Sequence, residues 1–183
     1  MLRSTGRAAA VSAGTALDNS CSSLPDAATM DITAYVEALR SLNTADAFRP
    51  RLDAGQWRVL SQYLTQHDIR AGDLLIKQGD SDRTMYFLAR GSLQVFVSGA
   101  APGARVAVLR AGSVTGEPGL FIDGPRSANV EAMTPCVVWA LRGPRLEELA
   151  QRVPVIALEV IRAAGAVMAA RLRAGGAPLS ASA

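Results

Sequence analysis

Four glycines, each followed by aspartate or serine, cut the middle of this chain into pieces too short for ordinary helices. They stand in Ala71-Gly72-Asp73, Gln78-Gly79-Asp80, Arg90-Gly91-Ser92 and Ala111-Gly112-Ser113. Such pairs are turn signals, because glycine adopts turn conformations freely and Asp or Ser bonds to nearby backbone. Between them the apolar residues form short runs: Leu74–Ile76, Met85–Leu88, Leu93–Val97 and Val106–Leu109. A period of two in segments of this length reads as β-strand, and further strands are expected at 128–132 and 136–141. Ala100-Ala101-Pro102-Gly103 reads as a hairpin loop. Many short strands at close spacing mean a jelly roll or small barrel, not a parallel sheet with long crossovers.

Helices are expected on both sides of this β region. One opens at Asp31-Ile32-Thr33, with Asp31 or Thr33 as its cap, and runs through Leu39. A second covers Ala54 to Leu64, with Trp57, Leu60 and Leu64 on one face. After Gly143-Pro144 the helical period returns, first over Pro144 to Gln151, then from Val153 or Pro154 to about Arg173. The last helix carries two apolar seams. Val153, Ile156, Val160, Ala163, Val167 and Ala170 form one; Leu158, Ile161, Gly165, Met168 and Leu172 form the other. One seam suffices to lie on the chain's own β region, so the second predicts a partner surface, with a homodimer the simplest form. The fold class is mainly β with flanking helices: a jelly-roll β-barrel with N-terminal helices and a long C-terminal helix.

At 183 residues the chain has room for one domain with a sizeable core plus tails. Its net charge of +3 is too small to announce nucleic acid as a partner. The two cysteines, Cys21 and Cys136, make no disulfide framework and no metal site, which suits a reducing cytoplasm. The apolar run Ala163 to Ala170, bracketed by Arg162 and Arg171, is far short of a membrane span. Residues 1–29, rich in Ala, Ser and Thr, read as a disordered tail or as residues ahead of a true start at Met30, in preference to a targeting peptide. The organisation is then 1–29 tail, 30–64 helical segment, 65–142 β region, 143–173 C-terminal helices and 174–183 disordered tail.

The chemistry concentrates in residues 116–128, Gly-Glu-Pro-Gly-Leu-Phe-Ile-Asp-Gly-Pro-Arg-Ser-Ala. Gly116 and Gly119 let backbone approach a ligand closely, and Pro118 suits the start of a short helix whose N–H groups would face an anion. Arg126 offers a guanidinium fork to that anion and Ser127 a hydroxyl. Glu117 repels an anion and is suited to accept a hydrogen bond from a neighbouring hydroxyl. A phosphate beside a sugar hydroxyl needs both, which points to a nucleotide. The structural alternative is a surface ion pair between Glu117 and Arg126 worth under about 1 kcal/mol.

This pattern resembles the phosphate-binding cassette of the cyclic nucleotide-binding domain family, especially its catabolite activator members: Gly116-Glu117, a short helix, then Arg126-Ser127-Ala128, with the four turn glycines in order before it. The likeness spans about residues 46–173. It implies a β-roll of the cyclic nucleotide-binding type and a ligand, cAMP or cGMP, with no cofactor and no metal. By resemblance, Arg126 contacts the cyclic phosphate and Glu117 the ribose 2′-hydroxyl, with the Gly116 backbone and Ser127 assisting. Pro118, Gly119, Leu120 and Ala128 complete the binding set. The chain departs from the family in three places. Pro118 removes one amide donor, Val114 stands where the family usually has phenylalanine, and Arg171-Leu172-Arg173-Ala174-Gly175-Gly176 supplies neither hydroxyl nor aromatic lid for the base.

Catalytic readings find no support in the sequence. The single histidine, His67, sits at the start of a predicted strand, too little for a cupin-type metal cluster, and it leaves no base for a serine nucleophile. Glu147-Glu148 reads as a solvated helix surface, and Asp80, Asp82 and Asp123 as turn residues bonding locally. The ten residues after Arg173 cannot form a helix-turn-helix, so direct DNA reading is not expected. The expectation is a stand-alone, non-enzymatic cyclic nucleotide receptor that signals through its C-terminal helix to a dimer mate or to an effector in trans. The alternative is a docking module that keeps the fold without the ligand.

Overall fold

A computed structural model describes residues 32–99 and 105–175. The expected N-terminal tail, the possible cap Asp31, the hairpin loop at 100–103 and the residues from 176 onward lie outside these. The elements, in chain order, are α1 (Thr33–Ser41), α2 (Ala54–Ser61), β1 (Thr65–Ile69), β2 (Leu74–Ile76), β3 (Thr84–Arg90), β4 (Ser92–Phe96), β5 (Arg105–Arg110), β6 (Val114–Thr115), a 3-10 turn (Glu117–Leu120), β7 (Asn129–Ala132), β8 (Cys136–Arg142), α3 (Gly143–Arg152) and α4 (Pro154–Gly175).

The strands form two antiparallel four-stranded sheets, ordered β1-β8-β3-β6 and β2-β7-β4-β5. They do not close into the barrel expected from the sequence. The edge strands β2 and β6 have three and two residues, too few to carry a hydrogen-bonded ladder from one sheet into the other. The result is a β-roll of two facing sheets.

Alternation along β3 and β8 explains how the first sheet is buried on both faces. Phe87 pairs with Trp139 and Leu88 with Val138. Phe87 and Trp139 face the helices, joining Tyr35, Phe48, Leu149 and Val160. Leu88 and Val138 face the other sheet, joining Ile76, Leu93, Leu109 and Val130. Successive strand residues point to opposite sides, so one strand serves two cores. On the helical side, Tyr35 and Phe48 meet Phe87 edge-on at 5.3 and 5.4 Å between ring centres, a favoured aromatic geometry.

The helix ends differ in part from expectation. The residue capping α1 is Ile32, with no side-chain capping bond. For α2 the cap is Asp53, whose carboxylate accepts from the Gln56 amide while the Gln56 side chain accepts from the Asp53 amide, a reciprocal capping box. Helix α2 stops at Ser61, so Leu64 reaches the core from the turn beyond it. The strand expected to begin at His67 begins at Thr65, and β6 was not anticipated.

Helix α4 has the two seams read from the sequence. Ile156, Val160, Ala163 and Val167 are buried against the core, while Leu158 and Leu172 stay 56% and 73% exposed. It continues to Gly175, two residues beyond the expected end. That extension matters for the site, because Ala174 within it joins Arg171 on a cavity wall. Among the described residues, no helix is long and apolar enough to cross a membrane.

Candidate functional site

A cavity of about 610 Å³ opens between the 116–128 segment, the strands of the second sheet and the end of α4. Of the candidate residues, Gly116, Glu117, Pro118, Gly119, Arg126, Ser127 and Ala128 line it; Leu120 is buried behind them in the helical core. The segment is built by a tight backbone reversal. Gly116 has φ +77°, and a Cβ there would lie 2.6 Å from the Thr84 carbonyl oxygen. No other residue fits that position without displacing β3. At Gly119 a Cβ would lie 2.7 Å from Arg126 Nη1, so the backbone is in direct contact with the guanidinium. The short helix expected after Gly116 is one 3-10 turn, entered through Pro118.

Glu117 and Arg126 are both buried, 3% and 7% exposed, and they do not pair with each other. The surface ion pair is therefore excluded. Arg126 instead donates through Nε and Nη2 to the two oxygens of Asp82, at 2.9 and 2.6 Å. Nη2 also donates to the Thr84 carbonyl at 2.5 Å and Nη1 to the Gly116 carbonyl at 2.9 Å. Its backbone N–H and C=O bond to Asp80 and Gly79, which fixes the whole residue against the β2–β3 connection. A guanidinium has five N–H groups, so one on Nη1 has no partner among the described residues.

Asp82 was read as a turn residue bonding locally; it does bond to Thr84, but its main partner, Arg126, is far along the chain. The bond to Arg126 is the main reason the Asp82 carboxyl is held below its ordinary value of 3.8, against the opposing effect of burial. Of the other two aspartates, Asp123 lies 3.6 Å from Arg83, and the Asp80 carbonyl accepts from the Arg126 amide. Glu147 and Glu148 are partnered on the surface by Arg83 and by Arg145 and Arg152.

Next to Arg126, Ser127 and Ala128 make no hydrogen bond among the described residues, so the Ser127 hydroxyl and both amides can serve a ligand. Together with the free Arg126 N–H they form an anion-favouring wall.

The opposite wall holds a carboxylate. Glu117 Oε1 accepts from Arg171 Nη1 at 2.7 Å, while Oε2 has no partner among the described residues. A buried carboxylate oxygen left unbonded costs about 1–3 kcal/mol or more, so an incoming donor is favoured there. Arg171 also donates from Nη2 to the Val114 carbonyl at 3.0 Å and from Nε to Asp46 at 2.9 Å. Burial would raise the Asp46 carboxyl, but bonds from Arg171 and Thr44 outweigh it and hold Asp46 below its ordinary value.

Asp46 and Arg171 had no assigned role in the sequence, and Asp82 only that of a turn residue. Nothing local marks them: each acts through a partner distant in the chain. The rest of the cavity is apolar and small-sided, with Ile76, Val95, Ala107 and Val130 from the second sheet and Ala170 and Ala174 from α4. Among the described residues, no group of His, Cys, Asp and Glu is placed to hold a metal ion.

A cavity with a carboxylate on one side, a donor-rich wall on the other and apolar surface between them fits a ligand that is part anion, part sugar and part base. Residues 66–153 match the cyclic nucleotide-binding domain. A cAMP-dependent protein kinase regulatory subunit from Blastocladiella emersonii is 33% identical over 91 residues, covering 49% of this chain and 23% of that protein. A cGMP-dependent protein kinase from Caenorhabditis briggsae is 34% identical over 83 residues, covering 45% of this chain and 10% of that protein. The chain thus spans less than a quarter of the length of either relative. The crystal structure of a cyclic nucleotide-binding domain from Methylobacillus flagellatus superposes with a TM-score of 0.68 at 20% identity, covering 78% of this chain and 79% of that one. The β-roll, its cassette and the sequence match together make residues 66–153 a cyclic nucleotide-binding domain.

Proposed function

We propose that the protein is a receptor for a purine cyclic nucleotide, cAMP or cGMP, bound in the cavity between residues 116–128 and α4. The phosphate meets the Ser127 hydroxyl, the Ser127 and Ala128 amides and the free N–H of Arg126. The ribose 2′-hydroxyl donates to Glu117, and the base lies on the apolar wall between the second sheet and α4. The observation that carries this reading is the buried Glu117 carboxylate on the cavity wall, with Oε2 unpartnered among the described residues. The matched relatives are described as cAMP- and cGMP-dependent at nearly equal identity, so they support the ligand class and favour neither base.

The protein acts as a regulator without catalysis, and its output runs through α4. The exposed seam of Leu158, Ile161 and Leu172 suits a dimer mate or an effector supplied in trans. A ligand changes that surface only by as much as it prefers one placement of the helix. Two cysteines without a disulfide framework in the sequence suit a cytoplasmic setting.

One observation favours the second reading, a docking module that keeps the fold without binding. Asp82 takes the bidentate edge of Arg126, the edge best shaped for a phosphate. Thermal melting separates the two. At 100 times its dissociation constant a ligand adds about 2.7 kcal/mol of stability, a shift of several degrees. The receptor reading expects that shift with cAMP or cGMP and none with linear AMP. A cooperative melt unmoved by either cyclic nucleotide would leave the docking module.

A further inference from the structure

Arg171 lies on α4, at the far end of the chain from the cassette in sequence, yet it is the counter-ion of the most buried carboxylate in the cavity. Its three nitrogens reach three separate parts of the fold: Nη1 to Glu117, Nη2 to the Val114 carbonyl on β6, and Nε to Asp46 on the α1–α2 connection. A guanidinium bonded through all three nitrogens is fixed in plane and direction. A carboxylate as buried as Glu117 needs a compensating charge or donor beside it. Arg126 does not provide that charge, since its bonds run to Asp82, Thr84 and Gly116. Arg171 does. By taking Oε1 it also decides which carboxylate oxygen is left to accept from a ligand.

We propose that Arg171 is a positioning residue for ligand recognition: by taking Oε1 it orients Glu117 so that Oε2 faces a sugar hydroxyl, and so ties the last turns of α4 to whether that hydroxyl is present. The proposal rests on the receptor reading above. The neighbouring α4 residues on the cavity wall, Ala170 and Ala174, have side chains too short to reach Glu117's charge or replace it. Among the described residues, Arg171 is the one α4 side chain that joins the helix to the cassette by a hydrogen bond. A hydroxyl donating to Oε2 and Arg171 donating to Oε1 fix the plane of one carboxylate from both sides, so ordering by one lowers the cost of ordering for the other.

The test compares binding of the cyclic nucleotide that shifts the melt with binding of its 2′-deoxy analogue, by calorimetry on the full chain. A hydrogen bond to a charged group leads the wild type to prefer the hydroxylated ligand by about 10-fold or more. Arg171→Ala is expected to cut that preference to about 2-fold or less, and Arg171→Lys, which keeps the charge but not the fork, to restore part of it. A purely packing role for Arg171 would weaken both ligands equally and leave the ratio unchanged. That unchanged ratio, in a wild-type background that does discriminate, overturns the proposal and leaves the receptor reading standing. A wild type that binds both ligands alike overturns the assignment of the hydroxyl to Glu117, and the proposal with it.

Should Arg171→Ala fail to fold, hydrogen exchange on the wild type reads the same coupling. Residues 168–175 are expected to gain more protection with the hydroxylated ligand than with saturating 2′-deoxy ligand. Equal protection overturns the coupling.

Discussion

Two arginines face the same cavity and are held in opposite ways. Arg126 sits after a turn of the β-roll, its side chain 6% exposed, and every partner it has lies within the β-roll and its connections. Arg171 sits near the end of a helix, 29% exposed, and its partners belong to three parts of the fold outside that helix. Arg126 therefore stiffens one body, and Arg171 joins separate ones. Bonds inside a rigid unit chiefly set stability, whereas a bond between units that can separate lets binding at one be felt at the other. The contrast assigns structure mainly to Arg126 and communication mainly to Arg171.

The contrast is most exposed to failure at Arg126. Arg126→Ala removes four hydrogen bonds and leaves the Asp82 carboxylate without its charged partner, while the Gly116 carbonyl keeps the Gly119 amide. Breaking a fully buried pair from one side costs about 3–5 kcal/mol; Asp82 keeps a side chain 42% exposed, which water can partly resolvate, so about 2–3 kcal/mol is expected. Urea unfolding should show the midpoint fall with little change in slope. A loss below about 1 kcal/mol would remove Arg126 from its structural role and return it to the phosphate alone.

A smaller effect is expected at the other arginine. Arg171→Ala should cost about 1–2 kcal/mol, chiefly by leaving Glu117 buried without its counter-ion. Adding Glu117→Gln to that variant should recover part of the loss, because the amide needs no compensating charge. The double-mutant cycle would then give a coupling between the two sites of about 1 kcal/mol. Strictly additive losses would mean that Arg171 acts through Asp46 or Val114 instead.

How these residues could be read from the sequence differs in the same way. Most of the strands were legible because turn glycines and a period of two are local signals, and β3, β4, β7 and β8 lie close to where those signals put them. The cassette was legible because its residues are contiguous. Strand β1 was read short because its residues before Ile69, Thr-Gln-His-Asp, carry no apolar alternation, and β6 is held by two residues of pairing with β3. The open roll was read as a barrel since strand periodicity says nothing about which edges meet. Asp82 was read as a turn residue and Arg171 as the end of a helix for a common reason. Periodicity shows which face of an element is buried, but not which distant carboxylate a long side chain reaches.

Acid exposes the two carboxylates that anchor the arginines. Asp82 and Asp46 are both held below 3.8 when folded, so their contribution to stability is present above that value and is lost as the pH falls through the lowered one. Unfolding free energy should therefore decline below about pH 4. Asp82→Asn should be less stable than the wild type at pH 7, with a flatter acid limb, the two curves approaching each other at the lowest pH. Parallel curves would show that Asp82 draws no stability from its charge.

The smallest effect is expected at Asp46, and it bears most directly on the division between the arginines. Its pair with Arg171 joins side chains 33% and 29% exposed, in the range where an ion pair adds about 1 kcal/mol at most. Asp46→Asn should thus change the melt by a degree or two. Its effect on the nucleotide should appear elsewhere. With one anchor weakened, the Arg171 fork is held by Val114 and Glu117 alone, and the preference for a 2′-hydroxyl should fall by a small factor, about 2-fold, while stability barely moves. A variant that loses stability and discrimination in the proportion shown by Arg126→Ala would erase the difference between the two arginines. One that loses discrimination without stability would place Asp46 on the same line of communication as Arg171, running from the cavity to the N-terminal helices.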